Sequence, residues 1–154
     1  MQGAEVLVDE IPQPGSVDRR PRVLVVDDDP DTLGLLAAFL DLAGFDVTTA
    51  ADGAEALQVA SGGFDVITTD LAMPRMDGGE LIQRIRELPI NPIPVVVVTA
   101  QIVDQSLHER IQSCRIMVKP CDLEELARTL RSLLTTCRHN QFCRSTCPRP
   151  LRRS

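Results

Sequence analysis

Val23-Leu-Val-Val-Asp-Asp-Asp-Pro30 is the stretch on which the reading of this chain turns. A short apolar run stops abruptly at three acids, and Asp29-Pro30 then reads as a helix N-cap followed by the first helical residue. Leu33, Leu36, Ala37 and Leu40 follow at helical spacing, and Gly44 ends the helix. One strand with acids at its carboxyl end thus feeds directly into one helix.

The alternation continues outward from there. Asp46–Ala50 is a half-polar run that suits an edge strand, and Ala54, Leu57 and Ala60 mark a second helix closed by Gly62-Gly63. Phe64–Asp70 predicts a third strand, and Gly78–Leu88 a helix with Leu81, Ile82, Ile85 and Leu88 inward. Pro89, Pro92 and Pro94 fence off Val95-Val-Val-Val98, the most strand-like run in the chain. A short helix near Asp104–Ser113 precedes the strand Arg115–Val118. Asp122 with Glu125 forms a capping box for a last helix with Leu123, Leu126, Ala127, Leu130, Leu133 and Leu134 on one face. The sum is α/β, a doubly wound (βα)₅ unit. The apolar strands 23–26, 95–98 and 116–118 predict burial on both faces of a parallel sheet, and the flavodoxin-like order 2-1-3-4-5 fits best.

In such sheets ligands bind at the carboxyl ends of the strands. There this sequence places Asp27 and Asp28 after strand one, Asp70 after strand three, Thr99-Ala100 after strand four and Lys119-Pro120 after strand five. Each alone is commonplace, since an acid cluster before a helix is ordinarily a solvated cap. Together they form a chemical set. Close carboxylates repel unless a cation bridges them, and carboxylates with water suit Mg²⁺. An aspartate accepts a phosphoryl group as an acyl phosphate, and a metal, an ammonium and a hydroxyl stabilise the charge that the transfer spreads over the phosphoryl oxygens. Lys119 is the chain's single lysine.

The stretches Val23–Asp29, Asp70-Leu-Ala-Met-Pro-Arg-Met-Asp-Gly78, Val95–Ala100 and Val118-Lys-Pro120 resemble the response-regulator receiver family over residues 22–136. The resemblance implies a stand-alone receiver of two-component signalling rather than an enzyme. Asp70 would be the phosphoacceptor, loaded by a sensor histidine kinase or a histidine phosphotransfer protein. Asp28, Asp70 and the Ala72 carbonyl would ligate Mg²⁺, with Asp27 acting through water. Thr99 would hydrogen-bond the phosphoryl group, Lys119 would pair with one of its oxygens, and Pro74 and Gly78 would shape the loop after strand three. The Lys119–Pro120 peptide is often cis in this family. Two features depart from the pattern: Ile116 stands where an aromatic is usual, and Ser113-Cys114 replaces a Gly-Ala turn. Both fall on the face through which receivers usually signal. The alternatives are a degenerate receiver that binds partners without phosphorylation, or an Asp-nucleophile phosphatase. The phosphatase needs an Asp-x-Asp-x-Thr arrangement after strand one, and Asp29-Pro-Asp31-Thr32 lacks one spacer.

Composition bounds the remainder. Apolar residues make up 44% of 154, with four Phe and neither Trp nor Tyr, so the core is aliphatic. The net charge is −6, but residues 138–154 hold five arginines and no acid; removing that +5 leaves −11 on the rest. An acidic domain disfavours nucleic acid as a main partner. No run reaches a membrane span, no signal peptide is present, and five cysteines fit reduced thiols, so a cytoplasmic location is expected. Residues 1–21 read as a flexible leader and 137–154 as a basic, disordered tail too short for a built-in DNA-binding domain. Cys137, His139, Cys143 and Cys147 match no familiar zinc spacing. The downstream protein partner is left open.

Overall fold

The computed structural model describes residues 19–90, 93–106 and 114–137. Most of the helix expected near Asp104–Ser113, and the segments 1–18 and 138–154 with His139, Cys143 and Cys147, lie outside the described residues. Five strands, β1 (Arg22–Val26), β2 (Asp46–Ala50), β3 (Val66–Thr69), β4 (Val95–Thr99) and β5 (Arg115–Val118), form one sheet in the order β2-β1-β3-β4-β5. Every pair is parallel, with Val26 opposite both Ala50 and Thr69, and Thr99 opposite Val118. Among the described residues four α-helices follow in chain order: α1 (Pro30–Leu42), α2 (Gly53–Val59), α3 (Gly78–Arg86) and α4 (Leu123–Cys137).

The two-residue period of a strand divides β1 between two cores. Leu24 and Val26 pack with Ile67, Val95 and Val97 under Ala56, Leu81 and Ile82 of α2 and α3. Val23 and Val25 pack with Val96 and Val98 under Leu36 and Leu40 of α1 and Leu126 and Leu130 of α4. Each fully buried aliphatic side chain contributes about 1.5–3 kcal/mol, so these two layers carry most of the stability.

Each of these four described helices starts at the same edge of the sheet with an aspartate. Asp29 accepts hydrogen bonds from Asp31 N and Thr32 Oγ1, Asp52 from Glu55 N, Asp77 from Glu80 N and Asp122 from Glu124 N. At Asp122 the bonded amide is Glu124 rather than the Glu125 of the expected box. Gly44, at φ +103°, turns the chain out of α1.

Three boundaries differ from the sequence reading. β3 spans Val66–Thr69, with Phe64 already buried before the ladder begins. Helix α3 stops at Arg86, although Leu88 still packs on the core. The expectation that 116–118 is buried on both faces is corrected: Ile116 and Met117 are half-buried and Val118 is exposed, because β5 is an edge strand with a neighbour on one side only. Ahead of β1, Arg19 pairs with Asp65 at 3.0 Å and the Pro21 carbonyl accepts from Asp46 N, so residues 19–21 rest on the domain.

Candidate phosphoacceptor and metal site

The strand order reverses between β1 and β3, and that is where the acids meet. The first residue after each strand continues the ladder by one bond, Asp27 N to Ala50 O and Asp70 N to Val26 O. Backbone pairing therefore sets Asp27 and Asp70 side by side at the carboxyl edge. Both are buried, at 2% and 7% exposure. Lys119 is brought to them by β5, whose ladder likewise continues through Lys119 N to Thr99 O. Its Nζ lies 2.9 Å from Asp27 Oδ2 and 2.9 Å from Asp70 Oδ2, bridging the two carboxylates.

The remaining carboxylate oxygens are held by backbone amides. Asp27 Oδ1 accepts from Asp29 N at 2.9 Å, while Asp70 Oδ1 accepts from Leu71 N at 2.6 Å and Ala72 N at 3.3 Å. With Oδ1 tied down, Asp70 presents Oδ2 in a fixed direction. Burial alone would lower the Lys119 pKa, but its hydrogen bonds to Asp27 and Asp70, reinforced by their charges, outweigh that and raise it above the ordinary value. Lys119 is thus cationic throughout the neutral range. Thr99 is fully buried at the end of β4, its Oγ1 accepting from Gln101 N at 3.1 Å. The Lys119–Pro120 peptide is cis.

Asp28 is exposed beside this pair, and one carboxylate oxygen from each of Asp27, Asp28 and Asp70 falls within a group spanning at most 4.8 Å. Three carboxylates at that spacing exceed what one ammonium neutralises. The donor set is all oxygen, open to solvent on the Asp28 side, and fits a hard divalent cation that retains water. The sequence-derived residues Asp27, Asp28, Asp70 and Lys119 therefore come together, with Thr99 tied to Lys119 through the backbone. Ala72 is exposed on the same loop.

Several supporting groups gave no sequence signal. The Leu71 and Ala72 amides that orient Asp70 are backbone atoms, and Arg75 stands between Pro74 and Met76 with no spacing that singles it out. Arg75 adopts φ +67° and pairs with Asp52 at 3.1 Å, joining the loop after β3 to the start of α2. The Asp52 carboxyl is held below its usual range, chiefly by the Glu55 amide and in part by Arg75. Gly78 is glycine for a steric reason: a Cβ there would sit 2.1 Å from the Asp70 carbonyl oxygen, and Gly78 N donates to Leu71 O at 2.9 Å. The turn beyond Asp70 thus closes against Asp70's own backbone.

Residues 23–131 match the family model described as the response regulator receiver domain. The chain belongs to that family. The receiver is 41% identical over 120 residues to the transcriptional regulatory protein PrrA of Mycobacterium tuberculosis, covering 74% of this chain and 50% of PrrA. It thus spans about half the length of the curated relatives it matches first. Among solved structures, the receiver domain of the Francisella response regulator 1452 superposes with a TM-score of 0.68 at 32% identity, covering 75% of this chain and 97% of that one. The response regulator TrrA of Thermotoga maritima, solved in complex with Mg²⁺-BeF, gives 0.67 at 31% identity, covering 73% and 98%. The family is a signalling domain of two-component systems, and the parallel 2-1-3-4-5 sheet is the fold these neighbours share. No helix among the described residues is long and apolar enough to cross a membrane.

Proposed function

We propose that this receiver takes a phosphoryl group onto Asp70 from the phosphohistidine of a sensor kinase or phosphotransfer protein, with Mg²⁺ held by Asp28, Asp70 and the Ala72 carbonyl and by Asp27 through water. The observation that carries the reading is the buried Asp27–Lys119–Asp70 bridge at the strand crossover, with Asp28 beside it. In the transfer an Asp70 oxygen forms the new O–P bond as the donor's N–P bond breaks; the N–P electron pair returns to the imidazole nitrogen, and the imidazole departs neutral because its other nitrogen keeps its proton. A carboxylate nucleophile needs no general base, and Lys119 stands beside Asp70 as its counter-charge. The Leu71 and Ala72 amides keep the carboxylate from rotating, which holds the attacking oxygen in line. Lys119 would share its charge with the incoming phosphoryl oxygens, and the Thr99 hydroxyl would donate to one of them. Mg²⁺ held by these acids would supply charge neutralisation that lets an anionic donor approach.

The loaded domain then signals through contacts of its own surface with a partner protein. The test is intact-mass analysis after incubation with acetyl phosphate and Mg²⁺. One phosphoryl group, labile to hydroxylamine, should appear on the parent chain and be absent from Asp70→Asn. Equal labelling of that variant would exclude Asp70 as the acceptor.

A further inference from the structure

Helix α1 is apolar on two sides. Leu36 and Leu40 face the core, but the outward row Asp31, Leu35, Ala38 and Leu42 is exposed, with Leu35 at 59% and Leu42 at 85%. Of the four exposed large apolar side chains among the described residues, this one helix face carries two. A surface helix ordinarily turns a polar face to water, and apolar area gathered in one place marks a contact surface. Leu35 and Leu42 stand two turns apart, about 10 Å along the axis. Between them the row has only Ala38, and beside it Gly34 has nothing within 4 Å of where its Cβ would stand. The middle of the face is therefore low, and another helix can approach it closely.

Charge decides what covers this row. Asp28, Asp29 and Asp31 stand exposed around the start of α1, and the helix itself contains no base. At its other end Arg20 donates to the Asp41 carbonyl and pairs with the Asp41 carboxylate at 3.4 Å. Arg131, reaching over from α4, donates to the Ala43 carbonyl and lies 4.9 Å over the Phe45 ring, and it forms no ion pair among the described residues. One end of α1 is thus acidic and the other carries a cation in excess. A second α1 laid parallel would set like ends together. Laid antiparallel, it sets each acidic end against a basic one and opposes the two helix dipoles. The row suits that arrangement, because the midpoint of Leu35 and Leu42 falls between Ala38 and Phe39. A two-fold axis there places Leu35 of each copy on Leu42 of the other, Ala38 at the crossing, and Asp31 within a turn of Arg131 from the other copy.

We infer that α1 is a homodimer surface, on which two copies of this chain pair antiparallel through Leu35, Ala38 and Leu42, with Asp31 of each copy set against Arg131 of the other. The same patch serves on both sides, so the assembly closes at two copies. One helix face, about 20 Å long and 10 Å across, falls well short of the roughly 800 Å² per partner of a stable interface. The dimer is therefore weak, forming at about 1 mM rather than 1 µM. Antiparallel pairing puts the two Asp70 sites at opposite ends of the pair, and none of Asp27, Asp70, Thr99 or Lys119 takes part in it.

The test uses the full chain. Sedimentation equilibrium should show the average mass rising from monomer toward dimer between about 10 µM and 1 mM. Leu35→Gln with Leu42→Gln should weaken association about tenfold, and because both side chains are exposed the fold is spared. Asp31→Arg, which sets like charges together at Arg131, should weaken it about fivefold. In a mixture of isotopically labelled and unlabelled chains, a filtered NOE experiment should connect Leu35 methyls of one copy to Leu42 methyls of the other. Within one helix these methyls are about 10 Å apart, too far for a cross-peak, so the signal reports the pairing itself. A chain that stays monomeric at about 1 mM would overturn the proposal and leave the row to a protein of another kind. So would association that the double glutamine variant retains, or a mass that climbs past the dimer. Contacts of Leu35 with Leu35 across copies, or association untouched by Asp31→Arg, would overturn the antiparallel pairing.

Discussion

At the scale of single residues, Lys119 does two things at once. In the proposed function it offers a cation to the phosphoryl group, and in the structure it neutralises two buried carboxylates that would otherwise repel. Replacing it with methionine leaves Asp27 and Asp70 facing one another without a counter-charge. Lys119→Met should therefore cost the metal-free protein about 3 kcal/mol, read from urea unfolding. Mg²⁺ should then stabilise this variant more than the parent, since the ion no longer competes with an ammonium. A variant as stable as the parent without Mg²⁺ would rule out this neutralising role. The pH dependence has a definite sign. Because the folded-state pKa of Lys119 is raised above the ordinary 10.5, its stabilisation is complete below that value and fades only as alkaline pH passes through the raised one.

At the scale of elements, β5 is the strand that departs most from expectation. Its two ends are fixed by function and pairing, with Lys119 bonded to Thr99 and Cys114 N to the Val95 carbonyl. Between them Ile116 is half-buried, packed like Val103 against the core under α2 and α3. The family usually sets an aromatic side chain at this position, able to occupy space that the threonine at the end of strand four vacates. Isoleucine, branched at Cβ and without a ring, packs similarly in either state, so it contributes little differential contact to a two-state switch. Amide hydrogen exchange with and without beryllofluoride should show the largest changes at Met73–Gly79 and Thr99–Asp104. Larger changes at Arg115–Val118 and α4 would show that Ile116 transmits the signal after all.

At the scale of the whole molecule, the sheet separates two aliphatic cores, and parallel pairing delivers all four described helix starts to one edge. That arrangement makes α1 informative, because its two apolar faces have different environments. Leu40 is fully buried, whereas Leu42 stands largely in solvent. Leu40→Ala should lower unfolding stability by about 2–5 kcal/mol, a large share of the roughly 5–15 kcal/mol a domain possesses. Leu42→Ala should stay within about 0.5 kcal/mol. Comparable losses at both positions, measured by denaturant midpoints, would mean that the outward face contributes to folding as much as the core does.

The sequence by itself carried the fold, because hydrophobic period and punctuation are local properties. The valine runs at 23–26 and 95–98, the Asp29-Pro30 start and the glycine after α1 each state a strand, a helix or a boundary within a few residues. It also named the residues that meet at the candidate site, since Asp27, Asp28, Asp70, Thr99 and Lys119 all stand at the ends of strand-like runs. Tertiary structure decided what depends on neighbours distant in the chain. Only the ladder register brings Lys119 to bridge Asp27 and Asp70. The Leu71 and Ala72 amides gain their role from the turn, and Gly78 from an approach to Asp70 that spacing does not reveal. Sheet order likewise left β5 half-exposed, because an apolar run specifies a preference for burial, whereas the number of neighbouring elements determines how far that preference is met.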